Sequence, residues 1–196
     1  IAAANVEYFK SGDGNDTLNA SDASVVTTVL GQGGNDDIDG GSAGDKLYGG
    51  EGNDTVDGNA GNDYLKGDAG DDTLRGGDSV DRLYGDAGAD QLYGGAGNDS
   101  LYIDSNDTVY DGGEGIDKVY VTSTEGVNLN LAANNVEYVS ANAGDDVLDA
   151  TGVTDNVSLY GKAGADTLTG GSGTDRLYGG DDNDTLDGGD GNDSLY

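Results

Sequence analysis

Cysteine, histidine, methionine, tryptophan and proline are all absent from the 196-residue chain, phenylalanine occurs once, and only 8 residues are basic. Without cysteine there is no disulfide and no thiol redox chemistry. Without histidine as well there is no serine or cysteine triad and no zinc centre of the usual kind. The shortage of Lys and Arg works against binding nucleic acid through its phosphates. No apolar run approaches the ~20 residues that span a bilayer, so no membrane insertion is expected. Ile1–Lys10 also lacks the basic-then-apolar layout of a cleaved signal peptide.

What the chain has in quantity is glycine and acid. Gly occurs 38 times, Asp and Glu together 39 times (34 of them Asp), and the formal net charge is −31. A chain so acidic and so poor in large apolar residues would ordinarily stay disordered, because self-repulsion and weak burial cannot offset the entropy of ordering. Either it does so, or something neutralises the charge.

The order of the residues decides between these. From Gly31 the chain falls into nine-residue frames: GQGGNDDID, GGSAGDKLY, GGEGNDTVD, GNAGNDYLK, GDAGDDTLR, GGDSVDRLY, GDAGADQLY and GGAGNDSLY, unbroken to Tyr102. One frame precedes them at Ser11–Asn19, followed by an eleven-residue version, Ala20–Leu30. A weak frame, Ile103–Asp111, leads into GGEGIDKVY at Gly112–Tyr120, and a second array covers Ala141–Tyr196, with Ala150–Tyr160 as its eleven-residue frame. Of these 18 frames, 15 carry Asp at position six, the exceptions being Thr27, Thr108 and Val157, and all 18 are apolar or aromatic at position eight. Residues 1–66 also align without gaps on 131–196, with 30 identical positions. The chain reads as one and a half copies of a 130-residue module, a fragment of a longer tandem array.

A period of nine rich in glycine is not helical. The first six positions call for the φ > 0 conformations that Gly and Asn tolerate, hence a tight turn. The last three form a very short strand with position eight facing in. Two frames then close an 18-residue coil. Stacked coils make two parallel sheets around a thin core of Leu18, Leu47, Leu65, Leu83, Leu101 and their equivalents, and nine coils at ~4.8 Å would give a rod about 43 Å long. Turns 18 residues apart stack, so the position-six carboxylates form a ladder on each edge. Oxygen-only ligands without His or Cys suit Ca²⁺ before any transition metal or Mg²⁺. Eleven neighbouring Asp pairs would take about eleven Ca²⁺ and bring −31 to −9, which explains the acidity as ligand.

These frames, GGEGNDTVD and GGAGNDSLY most cleanly, resemble the RTX or haemolysin-type calcium-binding repeats over 166 of the 196 residues. The resemblance implies an all-β fold, a right-handed parallel β-roll with 18 residues per coil and Ca²⁺ in the turns. It assigns metal ligation to Asp16, Asp36, Asp45, Asp54, Asp63, Asp72, Asp81, Asp90, Asp99, Asp117, Asp146, Asp166, Asp175, Asp184 and Asp193, with carbonyls from the first four turn positions completing each shell. It further implies type I export in an unfolded state and folding in extracellular calcium. That agrees with the expanded apo chain the charge predicts.

The expected organisation is therefore residues 1–10 as the end of a preceding coil or linker, 11–120 as a first array, 121–140 as a non-repeat segment and 141–196 as a second array. Val127, Leu129 and Leu131 alternate and predict longer strands in the non-repeat segment, which reads either as a wider coil or as a docking surface. Glu7, in the partial twin 1–10, and Glu137 occupy equivalent places and are candidate calcium ligands, though nothing in the sequence requires it. Tyrosine makes the other pattern: Tyr48, Tyr84, Tyr102, Tyr120, Tyr160, Tyr178 and Tyr196 share position nine of one alternate set of frames, and Tyr93 belongs to the other set. They form either a solvated stack that stiffens one sheet or a lateral interface.

Three functions from different classes follow. The chain is a calcium-folded structural segment of a large secreted or cell-surface protein (a surface layer, fibril or adhesin) that self-associates or meets other surface proteins. Alternatively it is a calcium-dependent folding and export module of an enzyme or toxin whose catalytic domain lies elsewhere. Ice binding would need a regular Thr/Asn row, yet position three reads Ser42, Glu51, Ala60, Ala69, Asp78 and Ala87. An enzyme within the segment is not expected, since the carboxylates repeat too evenly to define one cleft. The first reading is preferred.

Overall fold

The computed structural model describes residues 7–196, so the first six residues of the 1–10 segment lie outside it. Strands are the only regular elements among the described residues, and every pairing between them is parallel. The chain winds as a β-solenoid of about ten turns, the coil architecture expected of a β-roll. With one break, between Val109–Glu114 and Asn128–Asn130, each strand pairs with the next but one in the chain, so successive strands fall alternately on opposite sides.

One side is a single eleven-stranded sheet running from Tyr8–Lys10 to Ser194–Leu195. Its register steps by 18 residues through Leu47, Leu65, Leu83, Leu101 and Val119. It steps by 20 from Val119 to Val139 and from Val139 to Leu159, where the coil is longer. The other side is divided. Six strands from Thr17–Asn19 to Val109–Glu114 form one sheet and four from Asn128–Asn130 to Thr185–Asp187 form another. The core is the column of position-eight side chains: Ile38, Val56, Leu74 and Leu92 from the divided side meet Leu47, Leu65, Leu83 and Leu101 from the continuous side, all with no exposed surface. Each such Leu contributes about 1.5–3 kcal/mol of burial.

Two expectations about strand length are corrected. Many strands are six residues long rather than three, because pairing continues through the first three positions of the following frame, as in Lys46–Glu51 and Tyr64–Ala69. The turn is displaced accordingly. In many frames position two takes a left-handed backbone whether or not it is glycine (Gly50 at φ 121°, Asp68 at 74°, Asp86 at 68°), though Gly41 and Gly171 do not, and position four does the same with Gly52 and Gly70. In the non-repeat segment the predicted longer strands are absent. Val127, Leu129 and Leu131 are all buried, but the strand is only Asn128–Asn130. The main-chain N–H groups of Ala132 and Asn134 donate to Asn130 Oδ1 and Leu131 O and turn the chain away.

The divided side opens at Tyr110. At this position eight the core receives a phenol in place of a Leu, 4% exposed, and its hydroxyl donates to Asn130 O on the next coil at 3.4 Å. The strands Val109–Glu114 and Asn128–Asn130 do not pair here, and the buried phenol finds a partner for its hydroxyl across the break. A cavity of about 380 Å³, lined by Asp104, Asp107, Val127 and Asn134 among others, fills the gap.

Candidate metal centre

The left-handed positions two and four curl the main chain round the position-six side chain, which points along the edge of the coil toward its neighbours. Asp36, Asp45, Asp54, Asp63, Asp72, Asp81, Asp90, Asp99, Asp117, Asp146, Asp166 and Asp175 are all buried, whereas Asp16, Asp184 and Asp193, on outer coils, are half-buried. Along each edge the main-chain N–H at position six donates to the carboxylate one coil ahead. On one edge Asp16, Asp36, Asp54 and Asp72 donate in turn to Asp36, Asp54, Asp72 and Asp90, at 2.7–2.8 Å. On the other, Asp45, Asp63, Asp81 and Asp99 donate to Asp63, Asp81, Asp99 and Asp117, at 2.6–2.8 Å. In the second array Asp146, Asp166 and Asp175 donate to Asp166, Asp184 and Asp193.

This ladder needs only a peptide N–H from the residue behind, so frames without Asp still feed it. Thr27, Val157 and Val127 donate to Asp45, Asp175 and Asp146. The Thr108 frame supplies a carboxylate after all. Asp90 N–H donates at 2.8 Å to Asp107, one residue earlier than the register of Gln91 on Val109 would place it. Asn106-Asp107-Thr108 repeats Asn53-Asp54-Thr55, and one inserted residue turns Val109 outward, 39% exposed, and Tyr110 inward. The Asn-Asp pair was the sequence signal; nine-residue counting passed over it. A parallel outer ladder at position five also escaped the sequence reading: Asn53 and Asp71 N–H donate to the Oδ1 atoms of Asn35 and Asn53.

One carboxylate oxygen is thus satisfied, and the second distinguishes the rungs. Oδ2 of Asp36, Asp54, Asp63, Asp72, Asp81, Asp90, Asp99, Asp117, Asp146 and Asp166 is buried with no hydrogen-bond partner. At three other rungs a main-chain N–H closes it: Gly41 on Asp45 at 2.7 Å, Gly171 on Asp175 at 2.8 Å and Asp104 on Asp107 at 2.8 Å. An orphaned buried oxygen costs about 1–3 kcal/mol, more when charged. The surroundings of the open ones are acceptors. A Cβ placed on Gly58 would fall 2.6 Å from Asp63 Oδ2 and 2.5 Å from Gly76 O of the next coil, so only the glycine hydrogen separates these oxygens from the main chain.

Burial therefore pushes these carboxyls up, the N–H from the coil behind partly offsets it, and neighbouring carboxylates add to it. Asp63, Asp72 and Asp81 reach about 7, and Asp54, Asp117 and Asp146 about 6. Nowhere among the described residues do three acidic side chains converge. A cation at an open rung would be held by one or two carboxylates and otherwise by carbonyls, a hard all-oxygen set of the kind Ca²⁺ takes and Zn²⁺ does not. The residues fit that ion.

A parallel β-roll whose turns carry buried, half-satisfied carboxylates defines a class of solenoid suited to hold cations in its turns. The model of the RTX calcium-binding nonapeptide repeat matches residues 7–24, 30–65, 66–101 and 160–195. The chain belongs to this family and is a calcium-binding β-roll repeat segment. No curated protein matches it. No helix among the described residues is long and apolar enough to cross a membrane.

The tyrosines form one row on the continuous sheet: Tyr48, Tyr64, Tyr84, Tyr102, Tyr120, Tyr138, Tyr160, Tyr178 and Tyr196, with successive ring centroids 4.1–5.8 Å apart. Tyr64 and Tyr138 sit at position seven, where position nine is Lys66 or Ser140, and lean into the gaps the position-nine set leaves. Lys66 bonds Asp68 and lies 2.7 Å from Asp86.

Proposed function

We propose that the chain is a structural segment of a large secreted or cell-surface protein that folds when its turns bind extracellular Ca²⁺. The observation that carries this is the set of ten buried Oδ2 atoms without a partner, in a chain of net charge −31. Ca²⁺, when bound, would supply the positive charge and oxygen coordination that these buried carboxylates call for. The chain's own residues arrange the ladder by peptide N–H donation, exclude water by burial and offer carbonyls at glycine. When a site exists only in the folded state, binding energy is folding energy. The position-six aspartates, Asp16 to Asp193, are read as ligands, with the open rungs as the occupied ones.

The structural reading, in preference to a folding and export module for a distant enzyme, is supported by the nine-ring tyrosine row, which suits lateral self-association better than isolated exposure would. Sedimentation velocity in EDTA and then in ~5 mM Ca²⁺, above the range typical of extracellular modules, tests both. The expected result is an expanded chain in EDTA and calcium-dependent growth into large species. A compact calcium-bound monomer would favour the export module, and no change with calcium would overturn both readings.

A further inference from the structure

We propose that Asp117 and Glu137, with the Asn135 carbonyl, form a Ca²⁺-type cation site at the junction of the last repeat of the first array with the segment 121–140, carrying the ladder beyond the nonapeptides. The proposal rests on the reading that open rungs take calcium. Asp117 has no exposed surface, and its Oδ2 is one of the orphaned atoms. Its peptide N–H donates at 2.8 Å to Glu137 Oε2, as the other position-six N–H groups donate to the next Asp. Glu137 thus stands where the repeat would place Asp, 20 residues on instead of 18. The Glu137 and Tyr138 N–H groups both donate to Asp117 O and anchor the segment there.

The carbonyl complement is also present. A Cβ placed on Gly112 would fall 2.6 Å from Asp117 Oδ2 and would overlap Asn135 O, so the carboxylate and this carbonyl face the same glycine. Gly58 is placed in the same way at a nonapeptide rung. Asn135 adopts the left-handed conformation, φ 47°, that other frames place in their turns. Asp117 is one of the ten open rungs, unlike Asp45 and Asp175, where the equivalent oxygen is closed by a glycine N–H. No such donor reaches Asp117 Oδ2, and a cation answers it where a peptide N–H does not. The site would tie the first array to the non-repeat segment through an ion.

The test is bound calcium per chain, by equilibrium dialysis and elemental analysis, for the full chain, Glu137→Gln and the exposed control Glu125→Gln. The expected result is one ion fewer in Glu137→Gln and no change in Glu125→Gln. An unchanged count in a folded Glu137→Gln would overturn the proposal. Should Glu137→Gln fail to fold, anomalous scattering from crystals of the unmodified chain grown with calcium decides it. A calcium peak among Asp117, Glu137 and Asn135 O supports the site. Peaks between Asp81 and Asp99 with none at the junction would overturn this proposal alone, and no peaks on any rung would remove the calcium reading beneath it.

Discussion

A carboxylate with one oxygen bound by a peptide N–H and the other facing only carbonyls holds its proton more tightly than a free aspartate. Asp63, Asp72 and Asp81, at about 7 against an unfolded 3.8, are the strongest cases. Between those values the folded, metal-free chain carries protons that the unfolded chain has released. Protonation therefore stabilises the fold fully below pH ~4, and that contribution is lost as pH rises through 6–7. In EDTA the β signal in circular dichroism should be greatest near pH 4 and fall through this window. Excess calcium should hold it at pH 8. An EDTA form equally structured at pH 8 would contradict this account of the ladder. A second outcome belongs to the same atoms. Gly58→Ala places a methyl between Asp63 Oδ2 and Gly76 O, and should cost one bound calcium and lower stability, whereas Gly12→Ala, with open space around it, should change neither.

The strand is the smallest element that can bury anything here, and each buries one side chain. Leu83→Ala removes a side chain with no exposed surface from the middle of the column. It should cost about 2–5 kcal/mol by urea denaturation in calcium. The same change at Leu195, 46% exposed, should cost far less. On the outward face the tyrosine row adds ring contacts between coils, stacked at pairs such as Tyr84–Tyr102 and Tyr160–Tyr178. Such pairs are each worth about 0.5–1.5 kcal/mol.

Across the whole molecule the two sides of the roll differ. One sheet is continuous through the segment 121–140, while the other stops at Val109–Glu114 and resumes at Asn128–Asn130. Stability is then a sum over neighbouring coils, as in other solenoids, and ligand loss on one edge should be felt along the rod. Replacing Asp54, Asp72 and Asp90 together by Ala removes consecutive carboxylates from one edge. The variant should need more calcium to reach the same β content, read by titration in circular dichroism. Folding at unchanged calcium would argue that the ladder is not the calcium site.

The nine-residue period, its Asp at position six and its apolar position eight were enough to read a parallel roll, its column of Leu and the edges on which the carboxylates lie. These depend on spacing alone, because a stack of equal coils repeats whatever one coil does. Spacing could not say which rungs are open. Asp45 and Asp63 both occupy position six, yet Gly41 N–H closes one and nothing closes the other, since that depends on how position two of the same turn orients its peptide: Asn59 is left-handed at φ 68° and Gly41 is not. It marked Glu137 as a candidate ligand without placing it on the rung after Asp117, and it could not show Asp107 reaching the ladder past an inserted residue, or Tyr64 and Tyr138 filling the ring row from position seven. Each of these places a side chain by reach across coils, and reach is set by three-dimensional register where the count of residues has changed.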